Sequence, residues 1–564
     1  MKLRWLAFLI LTTGLAFFGC KDSGGDGVES LMVVGTLPED GDSAVHLEAS
    51  LQARLSAEVE PSTLTTQTFH LAELGGAQVP GSVTIGATPD IVVFSPEEPL
   101  TIITDYTATV TTGLLSMDGR SLAEDFTWDF RTLDDEWGRA ESIDGAPDSI
   151  NPALGVDPAG NAFAVWEQLE GGTTSLWGSR FTRAELWSEP VVLETGLADA
   201  TDPDLAVDAE GNAMSVWLQN EDDGVVWASR YTLGDGWGTP VAINAGFDEV
   251  GRNASVPTIE VDEDGNAIAL WYQIDVANVG FHVWANRFDK DTGSWGNAEN
   301  IEPGPPGFRR VARIELGFDT VGNALAAWTR RAASAPAGGP DVIWSNRYTA
   351  GAGWATAELV ELGGEGTVLA LSVAVDPASN AHLVWEQPDE MNLGDVWTNR
   401  STTTAPGWGT PELLETDDIN GASNPRVAVA PDGIAHAVWS QSDGMFESIW
   451  ASMLTAGGDW ESPVLIETPL EEQSDDGDAI NPRLAVDPNG NVFVVWQQFD
   501  GAGFNIWSNR FGPSDGWFSA ELIETKPIAA FDPVIAVDSN RHAHAVWTQF
   551  DDDVIHDIRT NRFE

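Results

Sequence analysis

The sequence predicts an all-β protein in which a β-sandwich is followed by an eight-bladed β-propeller, and three observations support this. Residues 157–166 read DPAGNAFAVW, and seven near-copies follow, with starts 51 (Asp157 to Asp208) to 57 residues apart (Asp262 to Asp319). Each repeat holds four segments of strand-like alternation separated by Gly, Asp, Asn and Pro. Residues 31–133 alternate in the same way but lack the motif. Short strands in groups of four with such a period are typical of propeller blades.

The N-terminus has the composition of an export signal. Lys2 and Arg4 precede an almost wholly apolar run, residues 5–18, and Gly19 and Cys20 follow. This order of charged, apolar and small residues is typical of a secretory signal peptide, and the run is too short for a comfortable membrane span. Cys20 is the one cysteine of the chain, so no intrachain disulfide can form.

The end of this segment resembles the lipobox of bacterial lipoproteins, in which the cysteine is lipidated and becomes the mature N-terminus. Phe17 departs from the leucine that is usual three residues before that cysteine. The resemblance implies a signal peptide at residues 1–19, lipidation of Cys20, and anchoring in the bacterial envelope, with Lys21 favouring the outer membrane. An ordinary signal peptide with an incidental cysteine is the alternative. Residues 20–30, rich in Gly, Ser and Asp, are predicted to form a flexible tether.

The chain is strongly acidic, because 88 Asp and Glu against 27 Lys and Arg give a net charge of -61. Such a surface repels phosphate backbones, so we expect no nucleic-acid partner. The hydrophobic fraction of 42% is ordinary for a globular protein, so the acidity belongs to a folded chain. We expect a monomer whose partners are a glycan or protein ligand outside the cell, and the membrane through Cys20.

Residues 31–133 contain six segments of alternating apolar and polar residues separated by turns, which favours a β-sandwich. These segments are Leu31–Val34, His46–Leu55, Gln67–Leu71, Asp90–Phe94, Tyr106–Thr112 and Phe126–Phe130. Together with Val59–Thr63 and the closing Trp128–Thr132, they resemble the bacterial Ig-like domain of the SbsA type, named for S-layer proteins. The resemblance implies a spacer or presentation module without catalytic residues.

Residues 134–564 hold the eight repeats. The second segment of the first repeat, residues 160–168, is apolar on both faces, which suits an inner strand between neighbouring blades. Trp137–Ile143 looks like a fourth segment but precedes the first repeat, and the chain ends directly after a third segment. We therefore predict that Trp137–Ile143 completes the last blade and removes its open edge. Seven blades, with one copy outside the ring, is the alternative.

The Asp-x-x-Gly-Asn stretch of each repeat lies between two predicted strands. Asp is expected to cap the turn through backbone hydrogen bonds, and Gly to accept a positive φ. Most copies offer a single carboxylate, far fewer oxygen atoms than calcium requires. We predict neither a metal site nor a cofactor, with calcium at Asp262 and Asp264 as the alternative.

The third segment reads W-x-[SN]-R-[FY] in most repeats, and its arginine is predicted to pair with the turn Asp as a structural network. The pairs are Asp157 with Arg180, Asp208 with Arg230, and Asp487 with Arg510. The sixth repeat lacks the Asp, the Asn and the Arg together, having Ala430, Ile434 and Met453. Joint loss is expected of hydrogen-bonded partners, because a buried charge left alone is costly. Chance drift in one copy is the alternative.

Tryptophan is the outlier of the composition, with 25 copies. The third-segment tryptophans are candidate ligand-binding residues: Trp177, Trp227, Trp284, Trp344, Trp397, Trp450 and Trp507. Core packing is the competing interpretation for each one, since Trp buries a large area and its N–H needs a partner. A Gln two residues after the second-segment Trp, as in Trp166 and Gln168, adds a donor and acceptor in most repeats. The repeat weakly resembles bacterial lectin propellers in rhythm, which implies a sugar-stacking platform.

No catalytic residues can be assigned from the sequence. His542, His544 and His556 fall in one repeat, but no known ligand spacing supports a metal there. The fourth repeat concentrates Arg309, Arg310, Arg313, Arg330 and Arg331, which suits either an anionic ligand or scattered salt bridges. The leading hypothesis is a surface-anchored lipoprotein with a non-catalytic binding propeller. The alternatives are an extracellular carbohydrate-active enzyme, sialidase- or lyase-like, and a structural envelope protein.

Overall fold

The structure is a computed structural model that describes residues 30–564 apart from several segments. The undescribed positions in that range are 39, 43–44, 46–48, 75, 77, 98–99, 102–103, 133–136, 146–147, 184, 197, 220–223, 245–253, 276–279, 303–309, 332–340, 361–365, 389–392, 416–420, 443, 456–457, 468–476, 525–527 and 551–555. The predicted signal peptide, Cys20 and nearly all of the tether therefore lie outside the described residues. Throughout the described ranges the chain is all-β, with one 3-10 turn, Pro61–Thr63, and no helix fit to cross a membrane.

The chain divides into two compact units, Met1–Asp134 and Asp135–Glu564. The first contains two antiparallel sheets, in the strand orders β1-β2-β5-β4 and β3-β6-β7. Its strands are β1 (Val33–Leu37), β2 (Leu51–Leu55), β3 (Phe69–Glu73), β4 (Gly81–Ile85), β5 (Ile91–Pro96), β6 (Asp105–Val110) and β7 (Phe126–Arg131). Strand β4 is absent from the predicted segments, although Val83 and Ile85 on one face are half-buried and Ser82 and Thr84 on the other are exposed.

One hydrophobic core joins the two sheets of the first unit. Alternate side chains of each strand point into it, as the buried–exposed pattern of β6 shows. Phe69 lies at its centre, with ring centroids 5.8 Å from both Phe94 and Trp128. The buried aromatic side chains of this unit are therefore core residues, whereas Phe126 is exposed beside Trp128.

The described residues of the second unit form eight antiparallel sheets, one for each copy of the repeat motif. The first strands are β9 (Ser149–Val156), β14 (Ala200–Val207), β19 (Ser255–Val261), β24 (Arg310–Phe318), β29 (Ala370–Val375), β34 (Ala422–Val429), β38 (Ala479–Val486) and β43 (Ala530–Val537). The second strands are β10 (Ala162–Glu170), β15 (Ala213–Gln219), β20 (Ala267–Asp275), β25 (Ala324–Arg331), β30 (Ala381–Pro388), β35 (Ala435–Ser442), β39 (Val492–Phe499) and β44 (Ala543–Phe550). The third strands are β11 (Thr173–Thr182), β16 (Val225–Thr232), β21 (Gly280–Asp289), β26 (Asp341–Thr349), β31 (Gly394–Thr402), β36 (Glu447–Met453), β40 (Phe504–Gly512) and β45 (His556–Phe563).

The outermost position of each sheet is occupied by short strands that pair with the third strand. They are β12 (Leu186–Trp187), β13 (Val191–Val192), β17 (Gly236–Trp237), β18 (Val241–Ala242), β22 (Ser294–Trp295), β23 (Glu299–Asn300), β27 (Gly353–Trp354), β28 (Glu358–Leu359), β32 (Ala405–Trp408), β33 (Glu412–Leu413), β37 (Val464–Leu465), β41 (Gly516–Trp517) and β42 (Glu521–Leu522). In the last sheet this position is taken by β8 (Glu141–Ser142), which precedes the first repeat.

Pairing of β8 with β45 confirms the predicted place of Trp137–Ile143. Ser142 lies opposite Arg559, Glu141 lies opposite Thr560, and a bridge joins Trp137 to Phe563. The first strands contact one another in the order β9, β14, β19, β24, β29, β34, β38, β43 and again β9, so the order closes on itself. We call the space that these eight strands surround the central channel.

The second strands are buried on both faces, as their apolar composition predicts. Trp166 and its seven counterparts are among the largest fully buried side chains of the protein. Each packs with residues of a neighbouring sheet, as Trp271 does with Met214 and Val216. Burial of one such indole removes roughly 150–250 Å² from water, so the inter-sheet contacts contribute much of the stability.

Candidate functional site

The repeated Asp organises its own turn. Asp157 Oδ1 accepts hydrogen bonds from the amides of Ala159 (2.9 Å) and Asn161 (2.8 Å), and Oδ2 accepts from Asn161 Nδ2 (2.7 Å). Corresponding bonds recur at Asp208, Asp262, Asp319, Asp376 and Asp487. In the eighth repeat His542 replaces the Asn and still contacts Asp538, with Nδ1 and Oδ2 2.6 Å apart. The predicted capping role is confirmed.

The turn glycine is required by both its backbone conformation and its surroundings. Gly211 has a φ of 79°, and a Cβ there would lie 2.8 Å from Oδ2 of Asp157 in the preceding sheet. The repeated turns therefore pack against one another from sheet to sheet. Residues at and beside these turns, from six different sheets, line a cavity of about 360 Å³ at one end of the central channel.

The predicted ion pairs between the turn Asp and the third-strand Arg require correction. Among the described residues, Arg230 and Asp208 form an ion pair, at 3.7 Å. Asp157 and Asp487 are engaged by their own turns, whereas Arg180 and Arg510 lie over aromatic rings. The turn amides and the Asn side chain satisfy the carboxylate locally, so the guanidinium can reach the next sheet.

These arginines join successive sheets by stacking on the aromatic residue that ends the next third strand. Arg180 lies 5.6 Å from the ring centroid of Tyr231, and Arg510 lies 5.0 Å from that of Phe563. Arg562 of the last repeat lies 4.7 Å from that of Phe181 in the first. The contact is a cation–π interaction, and it continues the order of sheets across the two ends of the repeat array.

Replacing Asp487 by Ala should lower the free energy of unfolding by about 3 kcal/mol, because three buried or half-buried donors lose their acceptor. Denaturant-induced unfolding of the two proteins measures the difference. The double variant Asp487→Ala/Asn491→Ile copies the sixth repeat, where Ala430 and Ile434 retain the turn backbone bonds. It should lose less stability than the single variant, and an equal or larger loss would contradict the capping role.

The seven candidate tryptophans of the third strands are half-buried between sheets. Each stands opposite the buried Trp of its second strand, as Trp177 does opposite Trp166. The indole nitrogens of Trp177, Trp227 and Trp507 are buried without a hydrogen-bond partner. In these three repeats the polar edge of the indole therefore faces the protein interior, which favours the packing interpretation over a sugar platform.

The repeated Gln has a structural role that the sequence did not reveal. Its side-chain oxygen accepts the indole N–H of the Trp two residues earlier, for example in Trp439 to Gln441 (2.9 Å). The same bond occurs from Trp166, Trp217, Trp271, Trp385, Trp496 and Trp547. Side chains two residues apart in a β-strand lie on the same face, so the Trp-x-Gln spacing could have predicted this hydrogen bond.

No group of three His, Cys, Asp or Glu side chains suited to a metal ion occurs within the described residues. Asp262 is buried in its turn and Asp264 is exposed beside it. Of the three histidines of the eighth repeat, His542 caps the turn, His544 packs against Phe181, and His556 stacks on Phe550. Burial lowers the pKa of His544 to about 3, so this imidazole is neutral.

One crevice between sheets differs from the others. In the sixth repeat Leu454 replaces the aromatic residue on which the preceding Arg would stack. Arg400, Trp408 and Trp460 line the resulting cavity of about 350 Å³. Among the third-strand arginines in the described ranges, Arg400 is the one whose guanidinium forms no hydrogen bond, ion pair or aromatic contact. We call this cavity the Arg400 crevice.

The neighbouring crevice provides a comparison. In the fifth repeat Ser401 replaces the aromatic residue, and a cavity of about 310 Å³ results. There Arg347 donates from Nη2 to Ser401 Oγ at 2.8 Å and from Nη1 to the Ser379 carbonyl at 3.5 Å. Within the described part of the chain, Arg347 thus has internal partners where Arg400 has none.

The arginines of the basic cluster in the fourth repeat have different surroundings. Arg309 and the side chains of Arg310 and Arg331 lie outside the part of the chain that the structure describes. Arg313 is exposed and donates to the Leu369 carbonyl, at 2.8 Å. Arg330 is buried and forms an ion pair with Glu302 at 2.7 Å. The salt-bridge interpretation therefore holds for Arg330.

The inner strands carry a set of charged residues that was not predicted from the sequence. The residue four positions before the turn Asp is charged in four repeats, as Asp204, Glu315, Arg426 and Arg483. Aligning the repeats would have exposed it, because this position is otherwise small or apolar. The set breaks the symmetry of the repeats at the central channel.

Comparisons with known proteins identify the first unit. Residues 28–132 match the family model described as a bacterial Ig-like domain, which confirms the predicted Ig-like domain for that part of the chain. No curated protein matches the sequence.

Several solved structures are weakly similar. A mutant of the NanB sialidase from Streptococcus pneumoniae shares 10% identity over 92% of this chain and 94% of its own, with a TM-score of 0.31. AofleA from Arthrobotrys oligospora shares 13% over 59% and 89%, with a TM-score of 0.33. A protein of unknown function from Dyadobacter fermentans shares 11% over 56% and 95%, with a TM-score of 0.35. Likenesses this weak identify neither the fold of the second unit nor a function.

Proposed function

We propose that this protein is an exported lipoprotein whose second unit is an eight-bladed β-propeller that binds a saccharide without transforming it. The closed order of first strands and the pairing of β8 with β45 support eight blades. The bacterial Ig-like domain at residues 28–132 supports a place at the bacterial surface, where it would act as a spacer. The lipobox-like end of the signal segment at Cys20 supports lipid anchoring, with Lys21 favouring the outer membrane.

The binding function rests on one observation, the guanidinium of Arg400 without a partner among the described residues, in a crevice lined by two indoles. An arginine in a protein crevice is expected to have acceptors, and here the ligand would supply them. The half-buried faces of Trp408 and Trp460 offer apolar surface to the C–H faces of a sugar ring. Thr402 and Thr410 also line the crevice and offer hydroxyl groups.

The lining of the crevice favours binding over hydrolysis. Glycosidases generally use two carboxyl groups roughly 5–10 Å apart on either side of the scissile bond. Of the residues that line the Arg400 crevice, all of them described, Glu412 is the one with a carboxylate. An enzyme in this protein would need its chemistry elsewhere.

Glycan-array screening followed by calorimetry with the strongest hit tests the proposal. Replacing Arg400 by Ala, or Trp460 by Ala, should weaken binding at least about tenfold, which corresponds to about 1.4 kcal/mol. Arg287→Ala is the matched control, because Arg287 holds the same repeat position and pairs with Asp289 at 3.2 Å. Equal affinity in the Arg400 and Arg287 variants would refute the crevice as the site. Release of shortened sugars would favour the enzyme alternative.

A further inference from the structure

A second candidate site lies in the central channel, away from the Arg400 crevice. The repeat position four residues before the turn Asp carries acids in one arc of the ring and arginines in another. Its occupants in repeat order are Ala153, Asp204, Thr258, Glu315, Ser372, Arg426, Arg483 and Val534. Glu260, two positions further along β19, adds a third acid next to the first two.

These side chains belong to the inner strands that surround the central channel. The carboxylate of Glu315 on β24 interacts electrostatically with Arg426 on β34 and with Arg483 on β38. Strand β24 contacts β19 and β29 but is adjacent to neither β34 nor β38 in the order of first strands. The interaction therefore crosses the central channel. Glu260 interacts in turn with Asp204 and Glu315.

The two arginines carry unused donors. Arg426 Nη1 donates to the Pro425 carbonyl at 3.1 Å, and Arg483 Nη1 donates to the Pro482 carbonyl at 3.0 Å. Neither forms an ion pair with any carboxylate of the described residues. Each guanidinium has five N–H donors, so most remain for a ligand. Burial, followed by the charge of Arg426, lowers the pKa of Arg483 to about 9, although Asp532 and Glu315 oppose the shift.

The acids facing them are poorly ionised. Burial raises the pKa of Glu315 to about 7, although Arg426 opposes the shift. Burial also raises the pKa of Glu260, and Asp204 and Glu315 add to the effect. The Glu260 side chain has an exposed surface, but the inner strands around its carboxyl limit the solvation of the charged form. Near neutral pH, these carboxyls are partly protonated and act as hydrogen-bond donors, while both arginines stay charged.

Asp204 is held differently. Its Oδ2 accepts hydrogen bonds from Thr258 Oγ1 at 2.7 Å and from the Ile259 amide at 2.9 Å, both in the next sheet. It is thus committed to an inter-sheet contact. Glu260 and Glu315 are the acids available to a ligand.

We propose that the central channel binds a small hydroxycarboxylate, with its carboxylate between Arg426 and Arg483 and its hydroxyl groups against Glu260 and Glu315. A planar carboxylate matches the forked donors of arginine. The single negative charge of the ligand lies against the two guanidinium groups, and its hydroxyl groups reach Glu260 and Glu315, whereas inorganic phosphate supplies the charge without the extended hydroxyl groups. The hydroxyl group accepts from a protonated carboxyl and donates to an ionised one.

The pH dependence of binding follows from the electrostatic interaction between the bound anion and the titrating acids. The groups that face the site are Asp204, Glu260, Glu315, Arg313, Arg426, Arg483 and Asp532. A bound anion favours the protonated form of the neighbouring acids, so binding takes up protons. Affinity should therefore be highest below about pH 6 and fall as the pH rises through 7 and 8, where Glu315 and Glu260 ionise.

Calorimetry with gluconate, using inorganic phosphate as the comparison anion, tests the proposal on the full chain. We expect gluconate to bind better than phosphate, with affinity falling at least about tenfold from about pH 6 to about pH 9. Arg426→Gln/Arg483→Gln should abolish this binding and leave the fold intact by circular dichroism. Arg400→Ala, in the crevice, should leave it unchanged, which separates this site from the saccharide site.

Other outcomes would overturn the proposal. These are no gluconate binding at any pH, preference for phosphate, affinity that rises with pH, or unchanged binding in the folded double variant. If the double variant fails to fold, Glu260→Gln gives a second test. It keeps a hydrogen-bond donor but removes one titrating group, so it should bind gluconate with a weaker dependence on pH.

Discussion

Replacing Arg330 by Met is expected to lower the free energy of unfolding by about 3 kcal/mol at neutral pH. Arg330 and Glu302 form an ion pair of 2.7 Å, and their side chains are 4% and 1% exposed. Without the guanidinium, Glu302 must either bury a lone charge or bind a proton. Burial already raises the pKa of Glu302 to about 7, against the opposing charge of Arg330.

The deficit of this variant should increase with pH. Arg330 lowers the pKa of Glu302, so removing Arg330 raises that pKa further. Glu302 of the folded variant therefore stays protonated at a pH where Glu302 of the folded wild-type protein ionises. The difference in unfolding free energy should be smallest below about pH 6 and increase as the pH passes about 7. Denaturation curves at several pH values provide the measurement, and a deficit that shrinks with rising pH would contradict the account.

The repeats supply a matched control for this pair. At the corresponding positions, Asn244 Nδ2 donates to Gln273 Oε1 at 3.3 Å, and Trp271 donates to the same Gln at 3.0 Å. The double variant Glu302→Gln/Arg330→Gln creates a similar amide pair and gives Trp328 an acceptor. It should recover most of the stability that Arg330→Met loses. A double variant as unstable as the single one would show that the loss arises from packing rather than charge.

The strands of both units could be predicted because they depend on local pattern. Alternation in residues 31–133 predicted most strands of the first unit, and the apolar second segments predicted the buried second strands. The edge strand β4 (Gly81–Ile85) was missed although it alternates, because only Val83 and Ile85 give it an apolar face. The short segment around Trp137 was placed correctly because it copies a repeat element that the last sheet lacks.

The partners of the repeated side chains could not be predicted, because they depend on which sheets touch. The Asp and Arg of one repeat resemble an ion pair in sequence, yet Asp157 bonds to its own turn and Arg180 stacks on Tyr231 of the next sheet. The sixth repeat departs from the others in sequence, but the residue that loses its stacking partner is Arg400 of the fifth repeat. A single repeat does not contain that information.

A crosslink between β8 and β45, where the ring closes, is the second change expected to have a large effect on stability. Residues 141 and 560 are separated by most of the second unit in sequence but are direct partners between β8 and β45. A disulfide between them would close a very long loop, and it should stabilise the fold by about 5 kcal/mol if the geometry is unstrained. Cys20→Ser removes the natural thiol in every variant, so no competing disulfide can form.

The central claim is that the eight sheets of the second unit form a closed ring, in which β8, the strand before the first repeat, completes the last sheet. Glu141→Cys/Thr560→Cys tests it, with Glu141→Cys/Ser508→Cys as the control, because Ser508 holds the same position in the seventh sheet. Mild oxidation and peptide mass spectrometry measure the crosslink. We predict near-complete crosslinking of residues 141 and 560 and only background for 141 and 508. Equal crosslinking of both pairs, or none of the first in folded protein, would contradict the closed ring.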